Sequence, residues 1–500
     1  MRRRREGGHA SSGAAGGVQT AMIAQGSGGF PADAWAAETE TWRRLTGRSD
    51  RSVDLRPMHD SLIADDDLSR GPISVQNAAS LHFGRKLTLQ PDLHRFLGPP
   101  VLAASATFPV VLVTGARQVG KTTLLRAVAE PERRYVTLDD PLQLRLARED
   151  PALFIQTWAP PVLIDEIQYA PELLPHIKMA VDRQRSVRGA YWLTGSQPFH
   201  LMQGVSESLA GRVAVLPLLG LSSREAQALP DAGPFLPGRD AALARQASGQ
   251  RCDLAGLYAQ IWRGSYPALV ANPTMDRDLF YASYLQTYLQ RDVRDLARVG
   301  DQTAFLRFLR AAAARTAQLL NIADLARDAD VAPNTAKHWL SVLEASGIAW
   351  LLPPWSSNLT KRLTKTPKLY LLDTGLAAWL TQWTSPQTLE AGAMSGAIFE
   401  TWVLTQILKS HQHAGRQTPL FYYRDKDQRE VDLLIEADGR LHPVECKKSA
   451  SPGAAALAGM RTLAGTGAPL GEGTVVCMLP DGLPLTGAPI PVWALPAWAL

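Results

Sequence analysis

Residues Gly115 to Thr122 read Gly-Ala-Arg-Gln-Val-Gly-Lys-Thr, the pattern G-x-x-x-x-G-K-T. No other stretch constrains the fold as strongly. A short apolar run, Pro109–Val113, precedes it, and Leu124-Leu125-Arg126-Ala127-Val128 follows as a helix would. A strand, a glycine-bearing turn and a helix are the context in which this spacing holds phosphate. The glycines let backbone N–H groups approach phosphate oxygens closely, and the helix N-terminus adds positive partial charge. Lys121 then reaches the β and γ phosphates, and Thr122 can ligate Mg²⁺. The expected nucleotide contacts are Gly115, Ala116, Arg117, Gln118, Val119, Gly120, Lys121, Thr122 and Thr123. The fold class that follows is α/β, a P-loop core with a parallel sheet.

Such a loop needs an acid at the end of a second buried strand. Pro161-Val162-Leu163-Ile164-Asp165-Glu166 supplies one. In open α/β sheets ligands bind at the carboxyl ends of the strands, where this pair emerges. Asp165 is the expected Mg²⁺ partner, and Glu166 the group that polarises an attacking water. Two more strands fit the sheet, Arg134–Leu138 and Gly189–Leu193. The second ends in Thr194-Gly195-Ser196-Gln197, where Ser196 and Gln197 are candidates to sense a γ-phosphate, with loop capping as the alternative. Ser208–Arg212 follows, then Val213–Leu218 as a strand. Arg212 stands either as a finger completing a neighbouring subunit's site or as a surface arginine.

Five hundred residues exceed one core, and at roughly 100–200 residues per domain they imply about three. The net charge of +5 permits anionic partners without demanding them. Three scattered cysteines lack paired spacing, which excludes a zinc knuckle or a disulfide framework and suits a reducing, cytoplasmic setting. No apolar run is long enough to span a membrane. Residues 1–75, rich in Gly, Ala and Ser after an Arg-rich start, are expected to be a solvated, disordered tail without an apolar signal region.

The strings GARQVGKTTLL, LIDEIQ, LTGS and SLAGR resemble the prokaryotic AAA-type ATPases, over roughly residues 80–500. The resemblance implies an ATP-driven switch or motor, with ATP and Mg²⁺ as cofactors and a homo-oligomer as a possible assembly. It places an AAA-type core at 76–225, a linker and helical lid at 226–300, a winged-helix-like module at 301–389 and a further domain at 390–500.

Residues 226–250 are rich in Pro, Gly and Ala and read as a linker or insertion. Asp276–Val299 is a long helical pattern with a stripe of Tyr284, Leu285, Tyr288, Leu289, Val293 and Leu296, and its TYLQRDVRDL string resembles the same family. Its Arg291 and Arg294 face nucleotide, a partner or solvent. A helix-turn-helix follows. Asn321 caps Ile322–Arg327, Pro333 opens a second helix with Ala336, Trp339, Leu340 and Leu343 inward, and Gly347 ends it. Asn334, Lys337, His338 and Ser341 then face outward, able to donate to phosphates or base edges.

The last signal is Arg429–Lys448. Asp438-Gly439 between alternating runs marks a two-residue hairpin turn. That turn sets Asp432 opposite Glu445, with Lys447 on the same face, and puts Val431, Leu433, Ile435, Val444 and Cys446 on the core face. Opposed carboxylates repel, and a hard divalent cation relieves that repulsion. Asp, then Glu-x-Lys, on a hairpin resembles the PD-(D/E)xK nucleases, with Val431 where that group usually has proline. The resemblance makes residues 390–500 an α/β nuclease-like domain, and adds Glu400 from a preceding helix and a later strand, Gly473–Leu479. It implies metal ligation by Glu400, Asp432 and Glu445, with Lys447 as the catalytic cation.

Two functional readings result. One is an Mg-ATP hydrolase coupled to DNA or RNA binding or cleavage. The other is a nucleotide-controlled signalling or scaffolding switch whose nuclease-like fold is inactive and binds proteins.

Overall fold

The structure, a computed structural model, describes residues 93–500 apart from 185, 197–204, 206, 289–301, 359–361 and 363–364. The expected tail, Gln197, Leu289, Arg291, Val293, Arg294 and Leu296 lie outside the described residues.

Five strands form the first sheet: β1 (Val110–Thr114), β2 (Arg134–Thr137), β3 (Val162–Asp165), β4 (Tyr191–Gly195) and β5 (Val213–Pro217). All are parallel, in the order β2-β3-β4-β1-β5. Alternate residues of each strand enter opposite cores. Val111, Val113, Leu163 and Trp192 pack with Val101, Leu124 and Leu125 from helices α1 (Gly98–Thr107) and α2 (Lys121–Val128). Val110, Leu112, Ile164 and Leu193 pack with Ala147, Phe154 and Ile177 from α3 (Pro141–Glu149), α4 (Pro151–Thr157) and α5 (Leu173–Arg183). Burial on both faces is why these strands read as unbroken apolar runs rather than alternating ones. The carboxyl ends of β1, β3 and β4 share one edge of the sheet.

The 226–250 stretch is not a plain linker. It carries α6 (Arg239–Ala247), and Phe235 and Ala242 are buried in the main core. Arg245 Nη1 donates to the terminal Leu500 carbonyl at 3.4 Å, and Arg239 N donates to Glu472 at 2.9 Å. Its few apolar side chains find a partner surface far along the chain, which local composition cannot reveal. Next come α7 (Leu254–Arg263) and α8 (Arg277–Tyr288), whose Tyr284, Leu285 and Tyr288 are buried.

Helices α9 (Gln302–Ala314), α10 (Ile322–Ala329) and α11 (Pro333–Ala345) stand with a small antiparallel sheet. Its strands, β6 (Gln318–Leu319), β7 (Ala349–Leu352) and β8 (Lys368–Leu371), lie in the order β6-β8-β7. Asn321 Oδ1 accepts from Asp324 N at 3.2 Å and so starts α10. Ala336, Trp339, Leu340 and Leu343 are buried, with the Trp339 ring 5.1 Å from that of Phe305.

The last region opens with α12 (Ser395–Gln412). Its strands are β9 (Leu420–Arg424), β10 (Glu430–Ala437), β11 (Arg440–Cys446), β12 (Gly473–Cys477), β13 (Leu483–Leu485) and β14 (Val492–Pro496). They form one sheet in the order β13-β14-β12-β11-β10-β9. Asp438 (φ 49°) and Gly439 (φ 70°) both take positive φ, as a type I′ hairpin requires. Ala437 faces Arg440, and the paired ladder ends at Leu433–Val444. One expectation changes: Val431 leaves the face it was assigned. Leu433, Ile435, Val444 and Cys446 share the main core, whereas Val431 packs with Leu434 and Leu441. The β9–β10 register shifts between Val431 and Leu434, and such a bulge reverses the alternation.

Candidate active site

The loop between β1 and α2 is built on strained backbone. Gly115 has φ 149°, and a Cβ there would fall 2.1 Å from the Leu218 carbonyl oxygen. Only glycine lets Leu218 N donate to Thr114 O at 2.7 Å alongside. Gln118 and Gly120 also take positive φ, 62° and 93°. Ala116, Val119 and Lys121 are buried, Arg117, Thr122 and Gly120 are half-buried, and Gln118 and Thr123 are exposed. Arg117 Nη2 donates to Tyr169 OH at 3.3 Å. Lys121 Nζ donates to the Gly115 and Ala116 carbonyls, each at 3.0 Å. The ammonium is thus curled inside the loop, where phosphate oxygens can take over those bonds.

Across from it, the Thr122 hydroxyl donates to Asp165, 2.8 Å from Oδ1 and 3.0 Å from Oδ2. Hydroxyl and carboxylate oxygens are the donors that a hard Mg²⁺ takes, directly or through water. These two residues therefore fit the metal half of an Mg-nucleotide. Tyr135 OH also donates to Asp165 Oδ2 at 3.1 Å, and burial followed by the Asp165 charge raises the phenol's pKa.

Glu166 sits in the left-handed region at φ 58°, which swings its side chain out of the strand's alternation. Its N–H donates to Thr194 Oγ1 at 2.9 Å, and the Thr194 hydroxyl bonds Asp165 in turn. Ser196 is buried, and its hydroxyl accepts from Gln168 Nε2 at 3.0 Å and donates to Glu166 Oε2 at 3.4 Å. So Ser196 lies in reach of Glu166. Thr194 is the residue sequence reasoning missed. It lies beside Val113 in the β1–β4 ladder, one step past the Ile164–Leu193 pair. A hydroxyl as the last side chain of an otherwise apolar strand was its signal.

Arg212 stands apart. It immediately precedes β5, beside the start of β1, with its carbonyl accepting from Val110 N at 3.2 Å. That is the amino edge of the sheet, opposite the Gly115–Thr122 loop. Its guanidinium forks onto Asp182, 2.7 Å from Nε to Oδ1 and 3.0 Å from Nη2 to Oδ2. Within this chain Arg212 does not meet Lys121.

On α11, Asn334, Lys337, His338 and Ser341 are all exposed. The turn that follows α11 touches the loop. Gly347 (φ 69°) lies so close that a Cβ on it would be 3.3 Å from Ala116 N.

The hairpin carboxylates gain a partner beyond those expected. Asp432, Glu445 and Glu400 converge, but Lys368 of β8 enters among them. Its ammonium is 2.9 Å from Glu400 Oε1 and also bonds Glu430. Tyr370 OH donates to the same Glu400 oxygen at 2.6 Å. Asp432 Oδ2 accepts from Cys446 N at 2.8 Å, a side-chain bond beyond the end of the paired ladder. Lys447 Nζ lies 2.7 Å from Glu445 Oε1, whereas Glu445 Oε2 is buried without a hydrogen-bond partner.

The electrostatics follow. Burial, then the Asp432 charge, pushes Glu400 up to about 7 and Glu445 up to about 8. Burial also raises Asp432, with Lys368 and Lys447 pulling against it. Burial works against the Lys368 charge, yet Glu400, Asp432 and Glu430 together hold its pKa above the ordinary lysine value.

Among the described residues no group of three His, Cys, Asp or Glu side chains is arranged to hold a metal ion. Beside the expected set of Glu400, Asp432 and Glu445, the structure thus adds an ammonium, that of Lys368, paired with Glu400 and Glu430. Lys368 and Tyr370 were missed because they precede the motif by some sixty residues. The signal was a lysine two residues from a tyrosine on one face of an apolar strand, since a buried lysine needs a carboxylate.

Comparison with known proteins gives three matched regions. A family described as an AAA domain matches residues 107–227. Two domains of unknown function, DUF8612 and DUF4143, match residues 255–387 and 395–498. The uncharacterized proteins Mb2031c of Mycobacterium bovis and Rv2008c of Mycobacterium tuberculosis are each 33% identical over 346 residues, covering 69% of this chain and 71% of theirs. Among solved structures, the Walker-type ATPase PABY2304 of Pyrococcus abyssi aligns at 16% identity with a TM-score of 0.36, over 57% of this chain and 94% of that one. A RuvB variant of Thermotoga maritima aligns at 18% identity with a TM-score of 0.25, over 51% of this chain and 86% of that one. Among the described residues no helix is long and apolar enough to cross a membrane.

Proposed function

Because this chain belongs to the family of the two mycobacterial proteins and carries an AAA-type P-loop ATPase core, we propose that it hydrolyses Mg-ATP and couples turnover to nucleic acid. One observation carries the reading: the Thr122 hydroxyl bonded to Asp165 across the loop that holds Lys121. Lys121 and the loop N–H groups take the β and γ phosphates, while Thr122 and Asp165 hold Mg²⁺. Glu166 orients the attacking water, with Ser196 and Thr194 fixing its position. In a homo-oligomer Arg212 would exchange Asp182 for a neighbour's γ-phosphate.

The coupling element is the α9–α11 module, which we read as a winged helix. Its exposed Asn334, Lys337, His338 and Ser341 suit a DNA or RNA backbone. Its Gly347 turn against Ala116 gives nucleic acid a route to the nucleotide loop. We read the 395–498 region as a nuclease-like fold. Cleavage there would need a cation to compete with the Lys368 ammonium already paired with Glu400.

A second reading draws on that same lysine. With Glu400 and Glu430 engaged by Lys368, the C-terminal fold would serve a nucleotide-controlled switch that binds proteins. ATP turnover with and without duplex DNA and single-stranded RNA separates the two. Stimulation that Lys121→Ala abolishes supports coupling to nucleic acid. An unchanged rate under both additions favours the protein-binding switch, and no turnover under any condition overturns the hydrolase itself.

A further inference from the structure

Behind the Gly115–Thr122 loop, a buried chain of polar groups leads away from the nucleotide site. Arg95, just before α1, places its guanidinium beneath the loop. Its Nη1 donates to the Val119 carbonyl and its Nη2 to the Leu219 carbonyl, each at 2.7 Å. Its Nε donates to Glu225 Oε1 at 3.1 Å. Glu225 also accepts from Phe96 N at 2.9 Å and Ser222 N at 2.8 Å. Its Oε2 lies 3.1 Å from Nδ1 of His413, which directly follows α12. His413 Nε2 accepts from Leu219 N at 3.3 Å. That bond leaves Nε2 unprotonated, so the ring's N–H is the one on Nδ1, which lies against Glu225 Oε2 as a close contact rather than an aligned hydrogen bond. Arg95 is 7% exposed and Glu225 1%, and the His413 side chain is as buried as that of Glu225.

The chemistry of the first link matters most. A peptide unit is planar and trans, so its C=O and N–H point in opposite directions. Drawing the Val119 carbonyl toward Arg95 turns the Gly120 N–H the other way, into the loop. That N–H is among the donors a phosphate oxygen needs.

We propose that Arg95, Glu225 and His413 are positioning residues that hold the nucleotide loop in its phosphate-binding conformation and make that conformation depend on the C-terminal domain. The inference rests on the nucleotide-binding reading above and goes beyond it by naming the connection. None of the three touches nucleotide. Each acts through the Val119–Gly120 peptide, and His413 belongs to the region matched separately at 395–498.

The test uses the full chain. Affinity for a fluorescent ADP (mant-ADP), KM and kcat for ATP, and hydrogen exchange of the 113–124 peptide are measured on His413→Phe, His413→Asn and Arg95→Lys. Phenylalanine removes both ring nitrogens. Asparagine restores an N–H at the Nδ1 position. Lysine keeps the charge beside Glu225 but cannot span Val119 and Leu219 together. His413→Phe and Arg95→Lys should weaken mant-ADP binding and raise KM about tenfold, the loss of one charged hydrogen bond, with kcat little changed. The 113–124 amides should exchange faster, and His413→Asn should recover most of the affinity. A purely structural histidine would move the melting temperature without moving KM or loop exchange. Folded His413→Phe and Arg95→Lys proteins that bind mant-ADP as wild type does overturn the proposal, and if the phenylalanine variant does not fold, Arg95→Lys decides. A wild-type chain that takes up no mant-ADP overturns the nucleotide reading beneath, and the relay with it.

Discussion

The Lys368 ammonium lies 2.9 Å from Glu400 Oε1, joining β8 to α12. The two side chains are 3% and 15% exposed, so neither charge is well solvated. An ion pair of this kind is costly to break from one side only, because the partner is left charged and buried.

Lys368→Met should therefore destabilise the chain by about 3–5 kcal/mol, and Lys368→Met with Glu400→Gln by distinctly less. Urea unfolding of the two single variants and the double variant measures the coupling. A double-variant loss equal to the sum of the two single losses would show that the pair contributes nothing.

The same cluster sets a pH dependence. Glu400 and Glu445 are held at about 7 and about 8, above their ordinary 4.5. The folded chain thus binds their protons more tightly than the unfolded chain does. Their contribution is complete below the ordinary value and is lost as pH rises through about 7 and about 8. Unfolding free energy should fall from pH 6 to pH 9, and Glu445→Gln, which stays neutral, should flatten part of that slope.

At the nucleotide loop, Lys121→Ala should lower ATP turnover by about 100-fold or more, since it removes the main cation at the phosphates. Phosphate release and mant-ATP binding read the two consequences separately. Thr122→Ala should act chiefly through Mg²⁺, shifting the metal concentration needed for half-maximal rate upward.

Glu166→Gln should bind nucleotide as wild type does while turnover falls by about 10²–10⁴, the range for loss of a positioned base. Thr194→Val removes the hydroxyl that bonds both Glu166 N and Asp165. It should lower kcat with a smaller change in KM. Steady-state kinetics would expose a binding role instead if KM moved alone.

On α11, Lys337→Ala should weaken DNA or RNA binding uniformly across sequences and reduce the slope of log K against log salt by about 1, as loss of one phosphate contact does. Binding titrations at three salt concentrations check this. An unchanged slope would remove Lys337 from the interface.

Much of this was legible in the chain. G-x-x-x-x-G-K-T, the apolar run ending in Asp165-Glu166 and the Asp438-Gly439 turn are local codes. Each depends on backbone conformations that glycine permits or on side chains a few residues apart. They determined the loop, the acid that faces it and the hairpin register. What only the tertiary structure decided involves groups distant in sequence. Lys368 reaches Glu400 from another sheet, Arg95 and His413 meet at Glu225, and a bulge moves Val431 across its strand. Buried charges take whichever partner the packing brings within reach, and periodicity carries no record of that choice.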